Sequence, residues 1–348
     1  LSIVLYWFDM PLMFEKQGGF TKRDVIEPFV YYCQKCFELF SDYVDIWYIY
    51  NEPIVDVMFK YQNDMCYPNL LDWNLASNAI YHMVVAHAKV VDVFKKGNYQ
   101  GKIGTVLNHG HIYARSQHPA DLLAKHRVEL MMQLSYEEPL LLGKVNEEWL
   151  AFVKEYGAHI EVHEEDASFI ANNTISVLGL NIYSPERVKC PTYQRNSEAP
   201  ITFDSFSELY IMHGRQMNTD RGWEIYPKCL YDTLILMKEK YGNPEMRITE
   251  NGMGIQDEYR FRNKEGQIQD DYRIDYVKKH LKWAHKAIQE GVNLVGYNMW
   301  SFIDLWSPSN QFKNCYGFYE YDLKSGETKR KKSADWFEYV TKVNGFEE

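Results

Sequence analysis

The chain has 348 residues, 46% hydrophobic and 16% aromatic, and carries a formal net charge of -10. That apolar content excludes an intrinsically disordered chain. The negative balance sets the global field against nucleic-acid backbones, so no nucleic-acid partner is expected. No apolar run approaches the roughly 20 residues needed to cross a bilayer, so no membrane partner is expected either.

The first eight residues, LSIVLYWF, lack a starting Met and already read as a buried strand, as in a piece of a longer protein. The strand-like run is 3–8, with Asp9 after it. RDVIEPFVYYCQKCFELF (23–40) follows with helical periodicity. Its Cys33 and Cys36 form a CxxC without a second ligand pair, which points to helix thiols and not to zinc. Six scattered cysteines in a chain of this size suggest a reducing compartment, and the cytoplasm is the expected location. DIWYIY (45–50) is the second strand, ending on Asn51-Glu52-Pro53. NAIYHMVVAHAKVVDVF (78–94) is helical. KIGTVLN (102–108) is the third strand, followed by an HxH of His109 and His111 that reads as a loop feature. VLGLNIY (177–183) is the fourth strand and carries Asn181 and Tyr183. MRITE (246–250) is the fifth and ends on Glu250-Asn251. DYRIDYVKKHLKWAHKAI (271–288) is helical, and LVGYNMW (294–300) is the sixth strand, leading into Ser301. The basic run KRKK (329–332) reads as a solvated turn before a last helix. Neither a cofactor nor a metal is expected.

Each strand is a nearly continuous apolar run, as in parallel strands buried on both faces. Strand and helix alternate, which gives an α/β fold with a parallel sheet, read as one domain over 1–348. A doubly wound open sheet fits the alternation too, but no GxGxxG or GxxxxGK[ST] occurs, and this favours a TIM-type barrel. In a barrel the strand ends converge on one face, where chemistry sits. Two of the six strands end on a glutamate, Glu52 and Glu250. Paired carboxylates flanked by Asn and aromatic residues fit glycoside hydrolysis. The other readings are that each glutamate pairs with a local Arg or Lys, or that acidic and His side chains hold a metal.

The wording of these segments resembles glycoside hydrolase family 1. IYNEP (49–53) and ITENGMG (248–254) look like its two signatures, and LYWFDMPL, LGLNIY, GWEIYP and GYNMWSFIDLWS follow in the family's order over essentially the whole chain. The resemblance implies a (β/α)8 barrel of retaining β-glycosidases. It also implies that the six strands are the third to eighth of that barrel, the first two strand–helix units being absent. On the same grounds Glu52 corresponds to the general acid/base and Glu250 to the nucleophile. Asn51 matches the residue that contacts the sugar 2-OH, Tyr183 the phenol that orients the nucleophile, and Trp300 the platform under the sugar. Where the family has a histidine for the 3-OH, this chain has Trp7. The arginine that stands beside the nucleophile belongs to the absent strands.

In the loop after the last strand, Ser307 replaces the glutamate of plain β-glucosidases. That resembles the phospho-glycosidase branch, in which a serine, a lysine and a tyrosine grip a 6-phosphate. Tyr316 matches the tyrosine; the lysine position falls on Asn314, with Lys313 the nearest lysine and the expected phosphate contact. Pro308, where galactoside-preferring members have Trp, leans toward gluco substrates. The expected activity is therefore retaining hydrolysis of 6-phospho-β-glucosides, with a phosphorylated β-glucoside as the small-molecule partner. The alternatives are a β-glucosidase for unphosphorylated sugars and an inactive sugar-binding or structural barrel. The aromatic-rich loops 58–73 and around Trp223 are the expected aglycone walls.

Overall fold

The computed structural model describes residues 1–307 and 309–347. Six strands form one sheet whose spatial order follows the chain: β1 (Ser2–Tyr6), β2 (Ile46–Asn51), β3 (Lys102–Asn108), β4 (Val177–Asn181), β5 (Met246–Glu250) and β6 (Leu294–Tyr297). Every neighbouring pair is parallel. The principal helices are α1 (Ile26–Phe40), α2 (Pro53–Tyr61), α3 (Trp73–Lys96), α4 (Lys228–Tyr241), α5 (Asp271–Gln289) and, after the last strand, α6 (Lys332–Val343). Among the described residues, β1 and β6 each have a single strand neighbour in this sheet.

The burial of β2 explains its unbroken apolar sequence. Ile46 and Tyr48 pack with Val106 and Val177 in a small cluster of their own. The alternate residues Trp47 and Ile49 belong to the main core, as do Phe37 of α1 and Ala79 and Met83 of α3. Successive side chains point to opposite faces of a strand, and here both faces are dry, so neither position tolerates a polar residue. Fully burying one such side chain is worth roughly 1.5–3 kcal/mol.

The sequence overran three strands, of which predicted 177–183 stops at Asn181. Predicted 3–8 stops at Tyr6, and Phe8 lies at φ 66°, in the left-handed region that breaks a strand. Predicted 294–300 stops at Tyr297. The apolar run continues past the stops at Tyr6 and Tyr297 because Trp7, Phe8 and Trp300 line a cavity and do not join the ladder. The basic run 329–332 also differs from expectation. Thr328–Arg330 is a strand, and Lys331 is fully buried, donating to Glu258 at 2.5 Å and Asp304 at 2.9 Å. A buried ammonium persists only when paired in this way. Cys33 and Cys36 are free thiols on α1.

Candidate active site

The C-terminal ends of the strands open into a cavity of about 800 Å³. Two strands enter it through local irregularities. The β2–β3 register shifts between Tyr48 and Asn51, and the β4–β5 register shifts between Ile248 and Glu250. Irregularities of this kind re-aim the side chains that follow, and here a glutamate follows each.

Glu52 sits between β2 and α2 at φ 47°, ψ 57°. A non-glycine residue held there costs of order 1–3 kcal/mol, and Pro53 behind it further disfavours helical backbone. The conformation is held by two backbone bonds: Glu52 N–H donates to the Val106 carbonyl at 2.8 Å, and Val55 N–H donates to the Glu52 carbonyl at 2.9 Å. The side chain is thereby turned into the cavity, which it lines together with Glu250.

Asn181, fully buried at the end of β4, is bonded to Glu52 and pairs in register with Glu250. Its Nδ2 donates to Glu52 Oε1 at 2.7 Å and to Asn51 Oδ1 at 3.1 Å. Its Oδ1 accepts from Thr249 Oγ1 at 2.7 Å, which fixes the orientation of the amide. Tyr183 donates its hydroxyl to Glu250 Oε2 at 2.6 Å, and its own carbonyl accepts from Tyr276 at 2.9 Å. Burial pushes the Glu52 carboxyl up to about 7, against the pull of the Asn181 amide. Burial and then repulsion from Glu52 push Glu250 up to about 8, against the hydrogen bonds from Tyr183 and Asn181. No cation stands among these causes, and neither carboxylate has an ion-pair partner among the described residues. The reading in which each pairs with a local base is therefore not what the structure holds. Two half-buried carboxyls that repel one another titrate as a unit and cannot both ionise freely at neutral pH.

The loop after Glu250 needs its glycines. A Cβ on Gly252 would sit 2.0 Å from the Trp300 carbonyl oxygen, and one on Gly254 would sit 2.4 Å from the Tyr316 ring. ENGMG is thus the sequence that lets the β5 loop press against both aromatic walls. Trp300 N–H donates to Asn251 O at 2.9 Å, and its ring meets Trp7 edge-on at 5.4 Å. Trp7, a departure in the sequence from the family's histidine, therefore lines the cavity wall.

Of the eight residues expected from sequence, Asn51, Glu52, Tyr183, Glu250, Trp300, Ser307 and Tyr316 all line this cavity. Lys313 does not. It is exposed, and its neighbour Asn314 turns inward, donating to the Asp220 carbonyl at 3.2 Å. Pro308 lies outside the described residues. Of the loops expected to form the aglycone walls, Met58, Phe59, Cys66 and Trp223 line the cavity, whereas Trp73 is core. The HxH residues are held elsewhere: His109 pairs with the buried Glu137 at 2.8 Å, and burial lowers His111 to about 4. Sequence reasoning named Asn181 on the fourth strand without its bond to Glu52, and it missed Arg221 on the cavity wall. A polar residue inside an otherwise apolar strand was the available signal for Asn181.

The chain is similar to known proteins over nearly its whole length. The model of "Glycosyl hydrolase family 1" matches residues 2–346. The chain is 43% identical to 6-phospho-beta-glucosidase GmuD of Bacillus subtilis, over 98% of this chain and 74% of that protein. It is 32% identical to Beta-glucosidase A of Acetivibrio thermocellus, over 99% of this chain and 74% of that protein. The solved family 1 β-glucosidase of Thermotoga maritima in complex with isofagomine lactam superposes with a TM-score of 0.86 at 31% identity, covering 99% of this chain and 74% of that one. The parallel sheet is accordingly that of an α/β barrel, and the chain belongs to glycosyl hydrolase family 1.

Proposed function

We propose that the chain hydrolyses β-glucosides bearing a 6-phosphate, with retention, by double displacement. Glu250 attacks the anomeric carbon and forms a glycosyl ester, while Glu52 gives its proton to the departing oxygen. Glu52 then takes a proton from water, whose oxygen displaces Glu250 from the same carbon. Glu250 must be ionised and Glu52 protonated at the start. The observation that carries this division is the Tyr183 hydroxyl on Glu250 Oε2 at 2.6 Å, a bond that favours the charged form. Burial raises Glu52 to about 7, which suits an acid near neutral pH. Glu250 stands higher still, at about 8, because repulsion from Glu52 adds to its burial, so the division rests on the Tyr183 bond and not on the order of the two affinities. In this reading Asn51, held by Asn181, meets the sugar 2-OH, and Trp300 offers an indole face to the C–H face of the ring; that both line the cavity supports it.

The phosphate is supported by two observations. A serine, Ser307, and not a carboxylate lines the wall formed by the loop after β6, and the 43% identical relative carries the name of a 6-phospho-β-glucosidase. An anion in that wall would repel a phosphate of charge near -2. Phosphorylated sugars arise inside cells, which fits the cytoplasmic reading drawn from six free cysteines. No helix among the described residues is long and apolar enough to cross a membrane.

Turnover of nitrophenyl β-glucoside 6-phosphate against the neutral glucoside tests the reading, with NMR detection of the first-formed anomer. The expected result is preference for the phosphorylated sugar and a β product. A preference for the neutral glucoside, an α product, or binding without cleavage would each overturn it.

A further inference from the structure

Five carboxylates line the cavity (Asp9, Glu52, Glu186, Asp204 and Glu250), and among the described lining residues Arg221 is the one Lys, Arg or His. An anionic substrate entering such a field needs a counter-charge, and among the described lining residues Arg221 is the basic side chain that can give it. Arg221 stands in the turn between two short strands, Met217–Asn218 and Trp223–Glu224. Its guanidinium lies 4.0 Å over the Trp223 ring, and its Nε donates to the Tyr316 hydroxyl at 3.2 Å. The adjacent Asp220 does not neutralise it: that carboxylate is taken by Arg260 at 2.9 Å and by the Gln256 N–H at 3.1 Å. Among the described residues Arg221 has no carboxylate partner, and one of its five N–H groups is used. A half-buried cation stacked on an indole, with most of its donors unspent, is pre-organised for a bidentate oxyanion.

Its position relative to the reacting carboxylates is also fixed. The Tyr316 ring meets the Tyr183 ring at 6.3 Å, and Tyr183 holds Glu250. The cation is therefore two aromatic rings away from Glu250, beside Asn314, which donates to the carbonyl of Asp220 next to Arg221, while Ser307 lines the same cavity. Lys313, the cation nearest in sequence to the expected position, points to solvent. We infer that Arg221, with Tyr316 and Ser307, grips the 6-phosphate of the substrate, so that the charge for phosphate selection comes from the turn before Trp223 and not from the loop after β6. This assignment rests on the phospho-glucosidase reading and names the residue that delivers its selectivity.

The test is the ratio of kcat/KM for nitrophenyl β-glucoside 6-phosphate over the neutral glucoside, measured for wild type, Arg221→Ala, Arg221→Lys and Lys313→Ala, with thermal melts to confirm folding. Charge-assisted contacts of this kind are worth on the order of 10–100-fold. Arg221→Ala should lower the ratio by about that factor, through KM for the phosphorylated substrate. Arg221→Lys should recover part of it, because an ammonium keeps the charge but not the fork. Lys313→Ala should move the ratio far less. A wild-type preference for phosphate that survives Arg221→Ala but collapses in Lys313→Ala would overturn the assignment and leave the phospho-glucosidase reading standing. A wild type that prefers the neutral sugar would overturn both. Should Arg221→Ala fail to fold, the Lys variant decides: a ratio equal to wild type there, with Lys313→Ala depressed, counts against Arg221.

Discussion

The floor of the cavity and its far wall are built by different means. The floor consists of strand ends: Glu52, Asn181 and Glu250 are fixed by sheet register, backbone bonds and an amide held on both sides. The wall consists of turns and loops: Arg221 in a short hairpin, and Ser307 in a segment closed by reciprocal backbone bonds with Gln311 at 2.9 and 2.7 Å. The floor buries its charges and shifts their proton affinities, whereas the wall leaves a cation with spare donors. Chemistry that every substrate shares belongs on a rigid scaffold, and recognition that varies between substrates belongs on loops. The difference predicts that floor substitutions depress all substrates alike and wall substitutions change only the preference among them.

The largest effect should come from the floor. Glu250→Gln or Glu52→Gln should cut kcat by at least ~10^4-fold on the phosphorylated and the neutral glucoside alike. A loss confined to one substrate would dissolve the distinction between floor and wall. On the wall, Ser307→Glu should lower the phosphate preference on the order of 10–100-fold by placing an anion opposite an anion, while the kcat for neutral glucoside persists.

A smaller effect, of ~10-fold or somewhat more in kcat, is expected for Tyr183→Phe. The lost hydroxyl favoured ionised Glu250, so its removal raises the proton affinity of Glu250 further, and the acidic limb of kcat/KM should move to higher pH. A limb that stays in place would show that Tyr183 does not orient Glu250. The smallest effect concerns stability. The folded state raises Glu250 from its ordinary value to about 8 and so binds its proton more tightly than the unfolded chain. This stabilising contribution is complete below the ordinary carboxyl range and is lost as pH rises through about 8. Glu250→Gln should therefore melt higher than wild type at pH 9, by about a few degrees, and close to it at pH 5. The opposite trend would mean that a cation holds Glu250 in the folded protein.

The floor was legible in the sequence because it obeys local rules. Apolar runs buried on both faces announce parallel strands, and a glutamate closing such a run has no reason to be there except pairing or use. Strand ends were less legible, since Trp7 and Trp300 extend the apolar pattern while facing the cavity. Asn181 reads locally as an ordinary polar interruption, and its partners lie 129 and 130 positions away. Arg221 carries no local pattern at all: its value comes from Trp223 beneath it, the Tyr316 hydroxyl beside it and the engagement of Asp220 elsewhere. Proximity in sequence pointed to Lys313 instead, because spacing along a loop does not reveal which way each side chain turns.

The central claim is a covalent intermediate on Glu250. A 2-fluoro glucoside 6-phosphate with an activated leaving group should slow turnover of the ester enough to trap it, and peptide mass spectrometry should then find the fluoro-glucosyl phosphate on the segment containing Arg247 to Gly254, at Glu250. An unmodified protein that has nonetheless released one equivalent of leaving group, or a label on any other carboxylate, would contradict the account.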